Sequence, residues 1–350
     1  MARPTRFDQI AHAIRTDIAQ RHLAPGTELP AREEYMRHHL ASKATIQKAL
    51  AVLVADGLIE VSRGRLTRVA AKPQHWNVYG IAFPDPFAGQ QTRSRFYATV
   101  EDTFTKLVRE TGGSVRIYHR ISYDVDATEY ARLVHDIEEG RLAGLILVHN
   151  SSSFSYRQVY PWQTMRLPVV GIGGESPCPA DTFFDVDRAV FIETALDYLV
   201  GRRRRRLALL LPGEESISGQ FAKGLSARGL KFIPEWILHV RREGVLNTVR
   251  LLAQGRDRPD GIVIADDHLT APAVEGLRSL GLAIPADVDL VSSVNFPNLQ
   301  RVPSPVYWLG WDIPDLVRRC CASIRQIKQG KTVPRMQWMP PVPESAFGQQ

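Results

Sequence analysis

The first seventy residues constrain the fold most, because apolar stripes at helical spacing alternate there with turn signals. Helical periodicity runs over residues 7–21, and shorter helices are predicted over 31–40 and 42–56. Two short strand-like segments, 57–61 and 67–70, then flank a basic tip. Three helices followed by a two-stranded hairpin predict a winged helix-turn-helix domain over residues 1–70.

The third predicted helix has one apolar and one polar face. Ser42 is a good N-cap, and Ile46, Ala49, Leu50 and Leu53 form a stripe that should be buried. The N-terminal residues of such a helix can enter the DNA major groove, where Gln reads adenine and Lys reaches guanine or phosphate. On a single helix, polar residues of this kind are more often only a solvated face, so the order of all the elements carries the prediction.

The candidate DNA-binding residues lie at the start of the second and third helices and at the hairpin tip. They are Arg32, Ser42, Lys43, Thr45, Gln47, Lys48, Arg63, Gly64 and Arg65. Arg63 and Arg65, together with Arg68, should contact phosphates and make binding depend on salt. Specificity should rest more on Lys43, Thr45 and Gln47.

This segment resembles the amino-terminal domain of the GntR family of bacterial transcription regulators, with three departures. The family's Leu-Pro-Ser-Glu-Arg-Glu-Leu becomes Leu29-Pro-Ala-Arg-Glu-Glu-Tyr35, so that Glu33 takes the place of the family's DNA-contacting arginine. Family members often carry Arg where this chain has Lys43 and Gln47. The wing reads Gly64-Arg-Leu-Thr67 in place of Gly-x-Gly-Thr. The resemblance implies DNA binding with an altered sequence preference.

Composition agrees with a polyanion partner and a reducing compartment. The formal net charge of the 350 residues is +7, which favours encounter with nucleic acid. Three cysteines, Cys178, Cys320 and Cys321, suggest neither a disulfide framework nor a metal site. No apolar run is long enough to span a bilayer, and the N-terminus lacks the apolar core of a signal peptide. The expected location is therefore the cytoplasm.

The rest of the chain alternates strand-like and helix-like segments. After a short polar linker over residues 71–76, this alternation predicts an α/β domain over 77–340 with parallel sheets covered by helices. At this length two lobes are expected, lobe one over about 77–175 plus 306–335 and lobe two over about 176–300. Ligands of such sheets bind beyond the carboxyl ends of the strands.

The segment Gly261-Ile-Val-Ile-Ala-Asp-Asp267 and the following residues up to 291 resemble the effector domain of LacI-type repressors. The order of elements from residue 77 to 335 is similar as well. The resemblance implies a two-lobed fold like that of periplasmic binding proteins, dimerisation through this domain, and a small effector between the lobes. The joining of a GntR-type reader to a LacI-type sensor is a known combination.

Six positions are candidates for effector binding on this resemblance: Phe96, His149, Asn150, Asp187, Phe221 and Asp267. Asp267 matches the family's ligand-binding aspartate, with capping of the next helix as the alternative. His149 and Asn150 follow a buried strand and should point into the cleft, although a lone histidine at a strand end more often only bonds to the backbone. Phe96 could stack on a sugar or pack in the core.

Two departures weaken the expected sugar pocket. Phe221 occupies the position of the family's ligand-gripping arginine, and Ser292-Ser-Val-Asn295 replaces its Gly-Phe-Asp-Asp. The effector is therefore either unusual or no longer sensed. The basic run from Arg202 to Arg206 is interpreted as a solvated loop at a helix end.

The sequence predicts a transcription regulator, in the first place a homodimeric repressor controlled by a sugar-like effector, with no catalytic, cofactor or metal site. Two alternatives stay open. The effector domain could be degenerate and non-sensing. Less favoured is a regulator or enzyme that binds pyridoxal phosphate, since Lys106, Lys223 and Lys231 do not follow a buried strand convincingly.

Overall fold

The fold is described from a computed structural model. The structure describes residues 5–21, 23–55, 57–61, 66–70, 78–83, 95–121, 127–148, 161–173, 179–212, 217–255 and 257–347.

The amino-terminal domain is a winged helix. Its elements are α1 (Arg6–Gln20), α2 (Arg32–His39), α3 (Lys43–Ala55), β1 (Ile59–Val61) and β2 (Thr67–Val69). The apolar stripes of α1 and α3 meet in one core, in which Ile14 and Ile46 are almost fully buried. β1 and β2 form an antiparallel hairpin, and the backbone N–H of Leu29 donates to the carbonyl of Thr67 beside it. The predicted helices and hairpin are confirmed.

The first α/β sheet has six strands in the order β13-β7-β6-β5-β3-β4. They are β3 (Val78–Ala82), β4 (Ser114–Tyr118), β5 (Gly144–Val148), β6 (Val169–Ile172), β7 (Thr182–Val186) and β13 (Met336–Met339). The pairs from β4 through β7 are parallel. Helices α4 (Arg95–Glu110), α5 (Ala127–Glu138) and α6 (Pro161–Thr164) lie in the connections between these strands.

The second sheet also has six strands, in the order β14-β12-β11-β10-β8-β9. They are β8 (Leu207–Leu211), β9 (Ile237–His239), β10 (Gly261–Ile264), β11 (Asp289–Phe296), β12 (Tyr307–Asp312) and β14 (Val342–Pro343). Only the short β14 runs antiparallel to its neighbour, β12. The helices associated with this part are α7 (Arg188–Gly201), α8 (Ile217–Ala227), α9 (Val245–Ala253) and α10 (Thr270–Arg278), and α11 (Ile313–Lys328) follows β12.

The pairs from β4 through β7 and from β9 through β12 are parallel, as the sequence predicts. β5 and β8 are buried at every position, which is typical of strands covered on both faces. The fold class, a winged helix-turn-helix joined to a two-part periplasmic-binding-protein-like α/β region, is confirmed.

The chain divides into two compact units at other points than the predicted lobe boundaries. Unit 1 comprises residues 1–184 and 317–337, and unit 2 comprises 185–316 and 338–350. β7 pairs with β6 in the first sheet, although its residues were predicted in lobe two. β12 pairs with β11 in the second sheet, although its residues were predicted in lobe one. The sequence predicts neither segment as a strand. Each lies close to a point where the chain passes from one unit to the other.

Candidate nucleic-acid interface and effector site

The third helix of the winged helix begins with a side-chain cap. The backbone N–H of Thr45 donates to Ser42 Oγ at 3.2 Å, and the hydroxyl groups of the two residues are 2.8 Å apart. This cap satisfies an amide that the first turn of a helix otherwise leaves unpaired. Ser42 therefore has a structural role, and the Thr45 hydroxyl is already engaged.

The polar face of α3 is available to a ligand. Lys43, Gln47 and Lys48 are exposed, while Ile46 and Ala49 on the opposite face are completely buried. The ammonium group of Lys48 lies 6.0 Å from the ring centroid of Phe7. Two cations and one amide thus project from the amino-terminal half of a helix whose other face is fixed in the core, as a recognition helix requires.

The remaining predicted DNA contacts are less exposed, already paired, or outside the described residues. Arg32 is the half-buried first residue of α2. The guanidinium of Arg68 forms a 2.5 Å ion pair with Glu28. A DNA phosphate that contacted Arg68 would therefore compete with Glu28 for this guanidinium. Arg63, Gly64 and Arg65 lie outside the described residues.

In unit 2, the carboxyl end of β10 carries a cluster of two carboxylates and one imidazole. His268 Nδ1 lies 2.9 Å from Asp266 Oδ1 and 3.2 Å from Asp267 Oδ1. Hydrogen bonds that His268 donates to these two carboxylates raise its pKa to about 9, against the opposing effect of burial. The donor atoms lie within 4.8 Å of one another and could hold a metal ion, but a protonated His268 already neutralises part of their charge.

Asp267 is the candidate of this cluster best suited to a ligand. Only 4% of its surface is exposed, and its Oδ2 has no hydrogen-bond partner among the described residues. A buried carboxylate oxygen without a partner is costly. The alternative capping role belongs to Asp266, whose Oδ1 accepts the backbone N–H of His268 at 2.8 Å. The expected cap was therefore wrong by one residue, because the helix begins with a short 3-10 turn at Asp267.

Asp187 does act as a helix cap. Its Oδ1 accepts the backbone N–H of Val190 at 2.9 Å and so closes the first turn of α7. Its second carboxylate oxygen could still meet a ligand, and that role stays a prediction.

The two apolar replacements in the expected pocket are both interior residues. The ring of Phe221 is 1% exposed and Val294 is fully buried. Ser292 is also buried and its hydroxyl lies 2.6 Å from that of Thr270. Phe221 therefore packs inside unit 2, and its burial favours a core role over an effector contact.

In unit 1, aromatic side chains gather beyond the carboxyl ends of β3 and β4. The ring centroid of Phe83 lies 5.4 Å from that of His119, in a stacked arrangement, and 5.7 Å from that of Tyr97. Phe96 is half-buried and its ring lies 6.1 Å from that of Tyr97. The sequence pointed to Phe96 but not to Tyr97, which lies in the first turn of α4, or to His119, which directly follows β4. His149 and Asn150 lie outside the described residues.

The basic run from Arg202 to Arg206 forms ion pairs within unit 2 and is not only a solvated loop. Arg202 pairs with Asp289, a carboxylate that is 2% exposed, and Arg204 lies 3.6 Å from the same carboxylate. Arg206 lies 3.6 Å from Asp260. These pairs tie the end of α7 to the starts of β10 and β11.

The three lysines weighed for pyridoxal phosphate, Lys106, Lys223 and Lys231, are all exposed. None of them occupies the buried position that a Schiff-base lysine needs. In the part of the chain that is described, no helix combines the length and the apolar character needed to cross a bilayer.

Two family profiles match the chain. Residues 7–69 match the bacterial regulatory proteins of the gntR family, and residues 196–343 match the periplasmic binding protein-like domain. An arabinose metabolism transcriptional repressor of Halalkalibacterium halodurans is 20% identical over 344 residues, covering 92% of this chain and 91% of that protein.

Solved structures of LacI-family regulators share the fold. A regulatory protein of Chloroflexus aggregans aligns with a TM-score of 0.61 at 18% identity, over 77% of this chain and 96% of that one. A regulator of Arthrobacter sp. FB24 in complex with lactose gives 0.60 at 15% identity, over 76% and 96%. The chain therefore joins a gntR-type helix-turn-helix domain to a periplasmic-binding-protein-like domain, the arrangement of a transcription regulator.

Proposed function

We propose that the protein is a homodimeric transcriptional repressor whose affinity for operator DNA is changed by a sugar-like effector. The exposed amino-terminal face of α3 supports the DNA-binding half most directly. Lys43, Gln47 and Lys48 project there from a capped helix whose opposite face is fixed in the core. Two such helices in a dimer would contact two half-sites of a pseudo-palindromic operator.

The effector half is supported by the buried carboxylate of Asp267. Its Oδ2 lacks a partner among the described residues, at the carboxyl end of a strand where ligands of parallel sheets bind. A sugar hydroxyl would supply the missing hydrogen bond. A relative acts in arabinose metabolism and a structural neighbour holds lactose, so pentoses and disaccharides are the first compounds to test.

The DNA half is tested by selection of double-stranded sequences from a random pool with the full chain, followed by footprinting. A repressor of this kind enriches an inverted repeat protected in two segments about one helical turn apart. Recovery of sequences without a common motif would contradict operator recognition.

The effector half is tested by thermal unfolding against a panel that contains L-arabinose, D-ribose, lactose, cellobiose and nucleosides. A ligand that binds only the folded state raises the unfolding midpoint further as its concentration increases, with a logarithmic dependence. Asp267→Asn should abolish that rise, while Asp197→Asn, on an exposed helix position, should keep it. If no compound raised the unfolding midpoint, the alternative of a non-sensing domain would be favoured. The burial of Phe221 and Val294 supports that alternative.

A further inference from the structure

The winged helix contains one buried cation that pairs with a carboxylate outside that domain. Arg15, on α1, is 7% exposed and is the only lysine or arginine in the buried class within the described part of the chain. A buried guanidinium needs an anionic partner to offset its desolvation. An anionic partner of Arg15 lies 124 residues away, outside the winged helix: Arg15 Nη1 is 2.6 Å from Glu139 Oε2.

The site that receives Arg15 is formed by the end of α5 in the same unit. Glu139 directly follows α5, and its other carboxylate oxygen lies 3.4 Å from His12 Nδ1, so both oxygens face α1. Gly140 adopts φ +61°, and a Cβ there would be 3.4 Å from Arg15 Cγ. The aliphatic part of Arg15 therefore passes directly over Gly140. A cation at a helix carboxyl terminus is also favoured by the helix dipole.

The end of α5 is itself held firmly on the sheet. Asp136 is 2% exposed, and its carboxylate accepts hydrogen bonds from Tyr118 Oη at 2.7 Å and Arg141 Nη1 at 3.2 Å, and pairs with Arg116. The guanidinium of Arg132, one turn earlier, lies 4.8 Å from the ring centroid of Tyr118. Since Tyr118 is the last residue of β4, these contacts tie α5 to the carboxyl end of that strand.

The topology places the two ends of α5 at different sites. It connects the carboxyl end of β4 to the amino end of β5, because the two strands run parallel within one sheet. Its amino end therefore lies at the sheet edge where an effector is expected, and its carboxyl end receives Arg15. Because α5 is tied to β4, a movement of this helix together with that strand would act on both ends of the helix.

We propose that Arg15 and Glu139 form the docking contact between the DNA-binding domain and the first sheet, and that operator occupancy and the state of the sheet are linked through it and α5. The second half of this inference rests on the proposed function, whereas the docking contact does not.

The docking contact is tested by hydrogen–deuterium exchange of the full chain without DNA, read in residues 8–20 and 135–141. Arg15→Gln should accelerate exchange in 135–141, and Glu139→Gln should accelerate it in 8–20, each by roughly threefold or more through local opening. The matched controls are Arg21→Gln, which removes the exposed pair between Asp17 of α1 and the residue that follows this helix, and Glu138→Gln, an exposed neighbour of Glu139. Both should leave the opposite segment unchanged.

The effect of each variant on exchange in the opposite segment, here called the crossed effect, distinguishes loss of docking from local destabilisation around the substituted residue. If Arg15→Gln loosened only residues 8–20, Arg15 would be a packing residue of the winged helix and the proposal would be overturned. Glu139→Gln changes no winged-helix residue, so an effect of this variant on 8–20 cannot arise from misfolding of that domain.

The link to DNA is tested with the duplex recovered by the selection described above. Binding of that duplex to the wild-type chain should change exchange in 135–141, and Arg15→Gln should remove the change. A wild-type chain that binds the duplex with no change in 135–141 would overturn the link. If selection recovers no duplex, the proposed function and the link fail together, while the crossed effect without DNA still decides the docking contact.

Discussion

Ser42 Oγ accepts the backbone N–H of Thr45 at 3.2 Å, and this contact helps to fix the first turn of the helix that presents Lys43 and Gln47. We expect Ser42→Ala to lower the free energy of unfolding by about 1 kcal/mol, the usual cost of losing an N-cap. Operator affinity should fall with it, because the first turn of α3 loses its fixed position. Chemical denaturation of the variant measures the first effect. Ser226→Ala, at an exposed position of α8, should cost less than Ser42→Ala, and equal losses would contradict the capping role.

Gln47 and Lys48 are neighbours on the exposed face of α3 and should have different effects. Gln47→Ala should weaken operator binding by about 1–3 kcal/mol and leave binding to random DNA unchanged, as expected for a base contact. Lys48→Ala should weaken both and reduce the salt dependence, as expected for a phosphate contact. Titrations of both duplexes at several salt concentrations distinguish the two roles. Equal losses on both duplexes for Gln47→Ala would contradict base reading.

His268 should make the stability of unit 2 depend on pH. Its pKa is raised from 6.5 to about 9 by the carboxylates of Asp266 and Asp267. The resulting stabilisation is complete below pH 6.5 and is lost as the pH rises through about 9. The difference in unfolding free energy between the wild-type chain and His268→Gln should therefore shrink over that interval by on the order of 2–3 kcal/mol. Parallel pH profiles of the two proteins would contradict the predicted pairing.

Two helical glycines offer a matched test of the packing of unit 2. A Cβ at Gly276 would lie 2.8 Å from the backbone carbonyl oxygen of Leu246, whereas Gly219 has nothing within 4 Å. Gly276→Ala should lower the free energy of unfolding by about 1–3 kcal/mol, since α9 and α10 must separate. Gly219→Ala should raise it by up to about 1 kcal/mol, the gain in helix propensity. Equal effects would show that the two helices do not pack as described.

The sequence predicts the winged helix well because local signals are sufficient there. Ser42 marks the start of α3, and the spacing of Ile46, Ala49 and Leu50 defines the buried face that the structure shows. No long-range information is needed for either feature. The alternation of apolar strands and amphipathic helices predicts the parallel sheets in the same way.

The partition of the sheets and the details of the effector site depend on contacts that are distant in sequence. Thr182 in β7 pairs with Val170, and its hydroxyl donates to the carbonyl of Pro334, 152 residues away. No periodicity could place it in the first sheet. That Asp266 and not Asp267 caps this helix follows from a 3-10 turn that the sequence does not mark. The pairing of Arg15 with Glu139 is likewise invisible until the fold brings them together.

Recognition of a specific operator by the exposed face of α3 is tested by the equilibrium affinity of the full chain for the selected duplex and for a shuffled duplex of equal composition. The salt concentration is about 150 mM, where weak long-range attraction is screened. We expect binding to the selected duplex to be tighter by roughly a thousandfold or more, with most of the difference lost in Gln47→Ala. Equal affinity of the wild-type chain for both duplexes would contradict this recognition.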